Sequence, residues 1–325
     1  MNKSEIDVAV LCLFFNRPDN FQQVFEQVKI ARPSRLFLYQ DGPRNEKDVP
    51  GILACRKIVE DIDWECEVHT KFQAVNIGCD PSEYLSQKWM FEYVDKGIIL
   101  EDDDVPSQSF FRFCKELLDR YEYDTRISII SGINYAESLE NCNADYIFTS
   151  DIAIWGWATW KRFVDLWESD YRFLDDEYSM RLLDSVIKQR NQRSSIIPLM
   201  RTHKSKGKEF YETIVMGAHY LNSCLAIVPT KNLINNIGLT GGTHYSNNLN
   251  DLCPHERRIF LMKRYEYIFP LRHPSYIVED VNYNKVVNCI LDRNRPFHRM
   301  VHNYQGKIIR LYNKFKHYVN DTFQK

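Results

Sequence analysis

The chain has 325 residues, 44% of them hydrophobic and 26% charged, with a formal net charge of −2 at pH 7. That composition is ordinary for a globular protein, and the length fits one large α/β domain with an appendage. A charge so close to zero argues against a nucleic-acid binder over the whole surface, and none is expected as a partner, though a local basic patch is compatible with it.

Residues 6–15 form an unbroken apolar run ending at Asn16-Arg17-Pro18, which predicts a first buried strand. Phe21, Val24, Phe25 and Val28 follow at helical spacing behind Asp19 and Asn20, either of which can cap a helix. Residues 35–39 predict a second strand, stopped by the turn residues Asp41-Gly42-Pro43. A second helix is expected over 46–62 with its start disturbed by Pro50-Gly51, and a third strand over 64–69. The turn Asn76-Ile77-Gly78-Cys79 leads to another helix and then to the short apolar run Gly97–Leu100, a fourth strand. Strand and helix alternating in this way predict a parallel sheet with right-handed crossovers.

Glu101-Asp102-Asp103-Asp104 stands directly after the fourth strand. In an open α/β sheet the ligand crevice lies beyond the carboxyl ends of the strands, where Asn16, Arg17, Asp41, Asn76 and Gly78 also belong. Adjacent carboxylates repel unless a cation or solvent screens them. Hard cations such as Mn²⁺ or Mg²⁺ take oxygen ligands, often with a substrate phosphate completing the shell. The bland alternative is an acidic loop lying in water. Neither Gly-x-Gly-x-x-Gly after the first strand nor a P-loop pattern is present, so neither a dinucleotide fold nor a P-loop enzyme is supported.

Further on, 109–121 predicts an amphipathic helix and 127–131 a strand. The passage 151–160, with Trp155, Trp157 and Trp160, is the most aromatic; its rings suit either a core or the C–H face of a sugar. Residues 188–209 are polar and basic and are expected to form a loop, mobile over an anionic ligand or merely solvated. Tyr211-Glu212 opens a helix, 225–229 is a strand, and 235–238 and 241–244 are expected as loops near a ligand. The last 33 residues, 293–325, interleave basic and apolar side chains, a pattern for a helix that either docks on an anionic membrane or packs on the domain. The nine cysteines contain no Cys-x-x-Cys pair, pointing to free thiols in a reducing cytosol. Neither a secretory leader nor a membrane span is evident; the run 8–15 is far below the ~18–20 residues needed.

Taken together, Leu-Glu-Asp-Asp-Asp-Val-Pro, the Asn76-x-Gly78-Cys79 turn and Trp-Gly-Trp-Ala-Thr-Trp, in this order, resemble the GT-A glycosyltransferases of the N-acetylglucosaminyltransferase I type and their bacterial relatives. The resemblance runs from Val8 to about His244. It implies a GT-A nucleotide-diphospho-sugar transferase fold, a Rossmann-like mixed sheet flanked by helices, over 1–245, with a helical basic extension over 246–325. It also implies an inverting transfer from a UDP-sugar donor, with GlcNAc or another hexose as the sugar. Asp103 is then the carboxylate ligand of Mn²⁺ (or Mg²⁺), with Asp104 outside the metal's shell. Glu101 and Asp102 lie against the ribose and donor sugar, Asp41 contacts the nucleoside, and Asn16-Arg17 line it. Trp157 is a candidate wall for the sugar, and His244 approaches the diphosphate from a late loop.

An inverting transfer needs one general base on the acceptor hydroxyl. Glu212 is the first candidate, where bacterial relatives carry an Asp; Asp176, within the acidic group 175–177, is the second. The expected acceptor is a bacterial surface glycan, free or lipid-linked, met in the cytoplasm or at the inner face of its membrane. A metal-dependent phosphoesterase and a non-catalytic sugar-binding module are the competing readings.

Overall fold

The computed structural model describes residues 2–140, 142–187, 190–239, 249–291, 300–301, 304–309 and 311–313. Strand β1 (Ile6–Phe14) is buried on both faces, and its alternate side chains explain the layering. Val8, Val10, Cys12 and Phe14 point to one side, into a cluster with α1 (Pro18–Ala31), α2 (Val49–Val59) and α4 (Gln108–Arg120). Ala9, Leu11 and Leu13 point to the other, into a cluster with α3 (Cys79–Met90) and α8 (Tyr211–Leu221). A period of two within one apolar run thus builds both halves of the core.

β1 pairs in parallel with β2 (Pro33–Gln40) and β4 (Lys96–Glu101), and β2 with β3 (Glu67–Phe72). The four carboxyl ends therefore share one edge of the sheet, as the alternation of elements predicts. Beyond β4 the sheet turns mixed. β8 (Trp157–Trp160) lies antiparallel between β4 and β6 (Ile127–Ser131). β9 (Leu225–Pro229) then runs parallel to β6, and β7 (Tyr146–Thr149) closes the far side antiparallel to β9. Among the described residues the sheet has eight strands in the order β3-β2-β1-β4-β8-β6-β9-β7. A separate two-stranded ribbon joins β5 (Asp104–Pro106) to β10 (Ile234–Asn236). The architecture is α/β, with a Rossmann-like mixed sheet flanked by helices.

Several expectations are corrected. The third strand starts at Glu67 rather than Trp64, because the Trp64 indole is drawn inward and donates to the Pro33 carbonyl at 2.8 Å. The polar stretch expected as a loop is mostly helix α7 (Arg190–Lys206), in which Ile196 and Met200, one turn apart, are buried against the core. Asn235 and Asn236, expected as part of a loop, lie in β10 (Ile234–Asn236), since the ribbon satisfies their backbone. Among the described residues the other helices are α5 (Lys161–Val164), α6 (Glu177–Val186), α9 (Pro254–Phe260) and α10 (Val281–Ile290), and residues 300–301, 304–309 and 311–313 are also helical.

The chain after 249 is tied back to the sheet layers. Glu266 accepts from the first backbone amides of α4, Arg272 pairs with Asp145, and Leu271 joins the main core cluster. His244 and most of the basic stretch 293–325 lie outside the described residues. All nine cysteines are free thiols, five of them buried. No helix among the described residues is long and apolar enough to cross a membrane.

Candidate functional site at the carboxyl ends of the parallel strands

Strand β4 ends at Glu101, and the chain turns through Asp102 and Asp103 before re-entering extended structure at Asp104. The acidic run does not lie in water. Asp102, Asp103 and Asp104 are 4%, 8% and 0% exposed. Asp102 accepts from the Phe15 amide at 3.3 Å and from Arg17 Nε at 3.3 Å, and its other oxygen is paired with Arg17 Nη2. The same nitrogen stands 2.9 Å from Asp103 Oδ2. Asn236 Nδ2 bridges Asp103 Oδ1 and Asp104 Oδ1, both at 3.1 Å, and the Gly156 amide donates to Asp104 Oδ2 at 2.7 Å. The Asn236 amide is itself oriented by the Gly238 N–H, at 2.9 Å from its Oδ1.

Gly238 is required here by space. A Cβ on it would sit 1.9 Å from Asp103 Oδ2, so the glycine backbone lies against that carboxylate. Its neighbour Ile237 donates its amide to the Asp103 carbonyl at 2.9 Å.

Helix α3 adds a carboxyl that sequence reasoning missed. Glu83 is 4% exposed; it accepts from Gln87 Nε2 at 3.4 Å and hydrogen-bonds the Glu101 carboxyl. Burial, followed by the neighbouring acids, pushes both carboxyls well above the usual carboxylate range. Burial raises Asp102 to about 6, with Arg17 opposing, and drives Asp104 well upward, with Asp103 adding to it. For Arg17, burial alone acts to lower its value; Asp102 and Asp103 more than offset this and hold the guanidinium firmly charged. The signal available in the sequence was a polar set, Ser82, Glu83, Ser86 and Gln87, on the face of α3 that turns out to be buried.

The Asp41 loop is built differently. Asp41 accepts from the amides of Gly42 (2.8 Å), Ile77 (3.0 Å) and Gly78 (3.0 Å) and from Asn76 Nδ2 (2.7 Å). The predicted residues Asp41, Asn76 and Gly78 are thus brought together, but Asp41 ties one loop to another and its oxygens are already engaged. Asn16 donates to Asp48 Oδ1 at 2.7 Å, and Arg44, hydrogen-bonded to the same carboxylate, holds Asp48 down at about 2.

Two further expectations are corrected. Trp157 is 1% exposed and walls no cleft; β8 is paired on both edges, and the ring packs in the core beside Tyr211, centroids 6.4 Å apart. Asp176 is the N-cap of α6, accepting from the amides of Tyr178 and Ser179 at 3.1 Å. The Ser179 hydroxyl, which also donates to it, and then those amides lower its basicity and give it a structural role. Glu212 is exposed in the first turn of α8. The adjoining Tyr211 hydroxyl, buried and pushed upward mainly by desolvation, lies in the combined field of Glu83, Glu101 and Glu212.

The donor set is therefore all oxygen, negatively charged and balanced by a neighbouring guanidinium, chemistry that suits Mn²⁺ or Mg²⁺. Asp103 Oδ2 is the oxygen that fits such an ion, since its charged partner is a side chain able to move. Among the described residues no ready-made group of three ligating side chains surrounds a common point.

These features define an α/β protein with a buried acidic cluster at the carboxyl ends of its parallel strands. No family model and no curated protein matches the chain. One solved structure it is similar to, titled the crystal structure of HddC from Yersinia pseudotuberculosis, aligns over 49% of this chain and 79% of that one. At 9% identity and a TM-score of 0.30, that likeness carries no argument about fold or function.

Proposed function

We propose that the protein is a metal-dependent, inverting GT-A glycosyltransferase that moves GlcNAc or another hexose from a UDP-sugar to a hydroxyl of a glycan. The observation that carries this reading is the buried run Asp102–Asp104 paired with Arg17 at the ends of β1 and β4. The mixed sheet flanked by helices is the architecture that the resemblance implies.

In this reading Asp103 supplies the protein's carboxylate to Mn²⁺, and the diphosphate completes the shell. When bound, the ion stabilises charge on the departing diphosphate, so no second carboxyl has to act as acid. Asn236 and Gly238 hold Asp103 in place by hydrogen bond and by contact. Asp41 braces the loops that receive the nucleoside, and Glu83 lies beside Glu101, which faces the donor sugar. Glu212, exposed at the start of α8, takes the proton from the acceptor hydroxyl. The acceptor is a bacterial surface glycan, lipid-linked or free, met at the inner face of the cytoplasmic membrane.

The test is thermal unfolding with UDP, with and without Mn²⁺. Asp103→Asn should abolish the Mn²⁺-dependent part of the protection by UDP. A melting-temperature shift equal to that of the unsubstituted protein removes Asp103 from the metal and with it the reading.

A further inference from the structure

Arg17 occupies a position of its own in the acid cluster. Among the described residues it is the cation ion-paired with the run, and one nitrogen serves both Asp102 and Asp103. The other holds on these carboxylates are donated by the backbone or by Asn236. Asp102 receives the Phe15 amide, Asp104 the Gly156 amide, and Asn236 bridges Asp103 and Asp104. Asp103 Oδ2 is closed on one side by the Gly238 backbone, its partner oxygen is bonded to Asn236, and its free side is filled by the guanidinium.

We infer that Arg17 is an exchangeable counter-ion, seated at Asp103 in the metal-free protein, and that a divalent cation binds there by displacing it. This deepens the metal-dependent reading above and rests on it. A guanidinium +1 and a +2 ion on one carboxylate oxygen repel each other and compete for its lone pairs, which favours exchange over sharing. The Arg17 side chain, 22% exposed at the start of α1, is able to turn outward, whereas Asn236 is held in the ribbon and the Phe15 and Gly156 donors are backbone amides. Once released, its planar fork suits phosphate oxygens. The exchange involves no covalent step and no net proton transfer.

The experiment measures binding of Mn²⁺ alone, without nucleotide, from the paramagnetic resonance signal of the free ion. Arg17→Met should bind Mn²⁺ about 5- to 150-fold more tightly than the unsubstituted protein, the range over which one bound group typically changes the affinity for another. Its metal-free melting temperature should fall, since the carboxylates lose their counter-ion. The double variant Arg17→Met with Asp103→Asn should lose the gain.

Equal or weaker Mn²⁺ binding by Arg17→Met overturns the inference, as does a gain that survives loss of Asp103. Arg17→Lys keeps a charge at the site and covers the case in which the methionine variant does not fold; it should bind Mn²⁺ more tightly than arginine does, since a flexible ammonium gives up the bidentate hold, and weaker binding again overturns the inference. The two readings fail separately. If UDP protection depends on Mn²⁺ and Asp103 while Arg17 variants leave Mn²⁺ affinity unchanged, the exchange falls alone. If no variant binds Mn²⁺, with or without UDP, both fall.

Discussion

Asp41 and the run Glu101–Asp104 stand at the ends of neighbouring parts of one parallel sheet, yet their carboxylates live under opposite conditions. Asp41 is surrounded by donors: three backbone amides and the Asn76 amide meet its two oxygens. The run is crowded by its own kind, with Glu83 added from α3, and its charge is met by Arg17. A carboxylate enclosed by backbone N–H groups is a brace, because every donor is fixed by the fold and removing the acceptor orphans all of them at once. A carboxylate enclosed by other acids depends instead on the counter-charge of Arg17. Two strand-end aspartates that look alike in the sequence therefore do different work.

The largest effect expected lies in chemistry and should leave both carboxylate regions intact. Glu212→Gln should lower glycosyl transfer by roughly 10²- to 10⁴-fold, the usual contribution of a general base. Mn²⁺-dependent UDP protection should be unchanged. Turnover near that of the unsubstituted protein would take Glu212 out of the base's role. Asp176 would not inherit it, since its carboxylate is occupied as a helix cap.

Next in size is the brace itself. Asp41→Ala leaves three backbone amides and Asn76 without their acceptor and should cost about 3–5 kcal/mol, read as a lower urea midpoint at constant slope. If the midpoint barely moves while nucleotide affinity collapses, Asp41 belongs with the ligand rather than with the loops, and the contrast dissolves.

The smallest effect sharpens the contrast from the core. His219 is fully buried, with Ser128 Oγ donating to Nδ1 at 2.7 Å and Nε2 donating to the Ser150 carbonyl at 3.0 Å. Desolvation depresses it from 6.5 to about 4, the Ser150 bond opposing. The unfolded chain therefore binds the extra proton first as pH falls, so stability is full above about 6.5 and declines towards pH 4. The loss is at most about 3 kcal/mol. Urea unfolding at stepped pH should show this decline, and His219→Gln should flatten it. An unchanged slope in the variant would place the acid sensitivity in other groups.

Much of the frame was legible beforehand. The strands at 6–15, 35–39, 127–131 and 225–229 and the helix at 109–121 lie within a few residues of where they form, because unbroken apolar runs and helical spacing state burial directly. Trp157 misled because an aromatic passage reads the same in a core strand as on a sugar-binding wall. Helix α7 was hidden by its polar composition, its buried residues being few.

From the sequence alone follow the alternating elements, the shared direction of the first four strands and the placing of the acidic run at a strand end, since each depends on neighbours along the chain. The tertiary structure alone decided what surrounds those acids. Asn236 reaches Asp104 across 132 residues, Arg17 reaches Asp102 across 85, and Glu83 meets Glu101 from a different layer. Charge and hydrogen bonds act through space, over a few ångströms, and a linear order of residues holds no record of which distant groups the fold will bring that close.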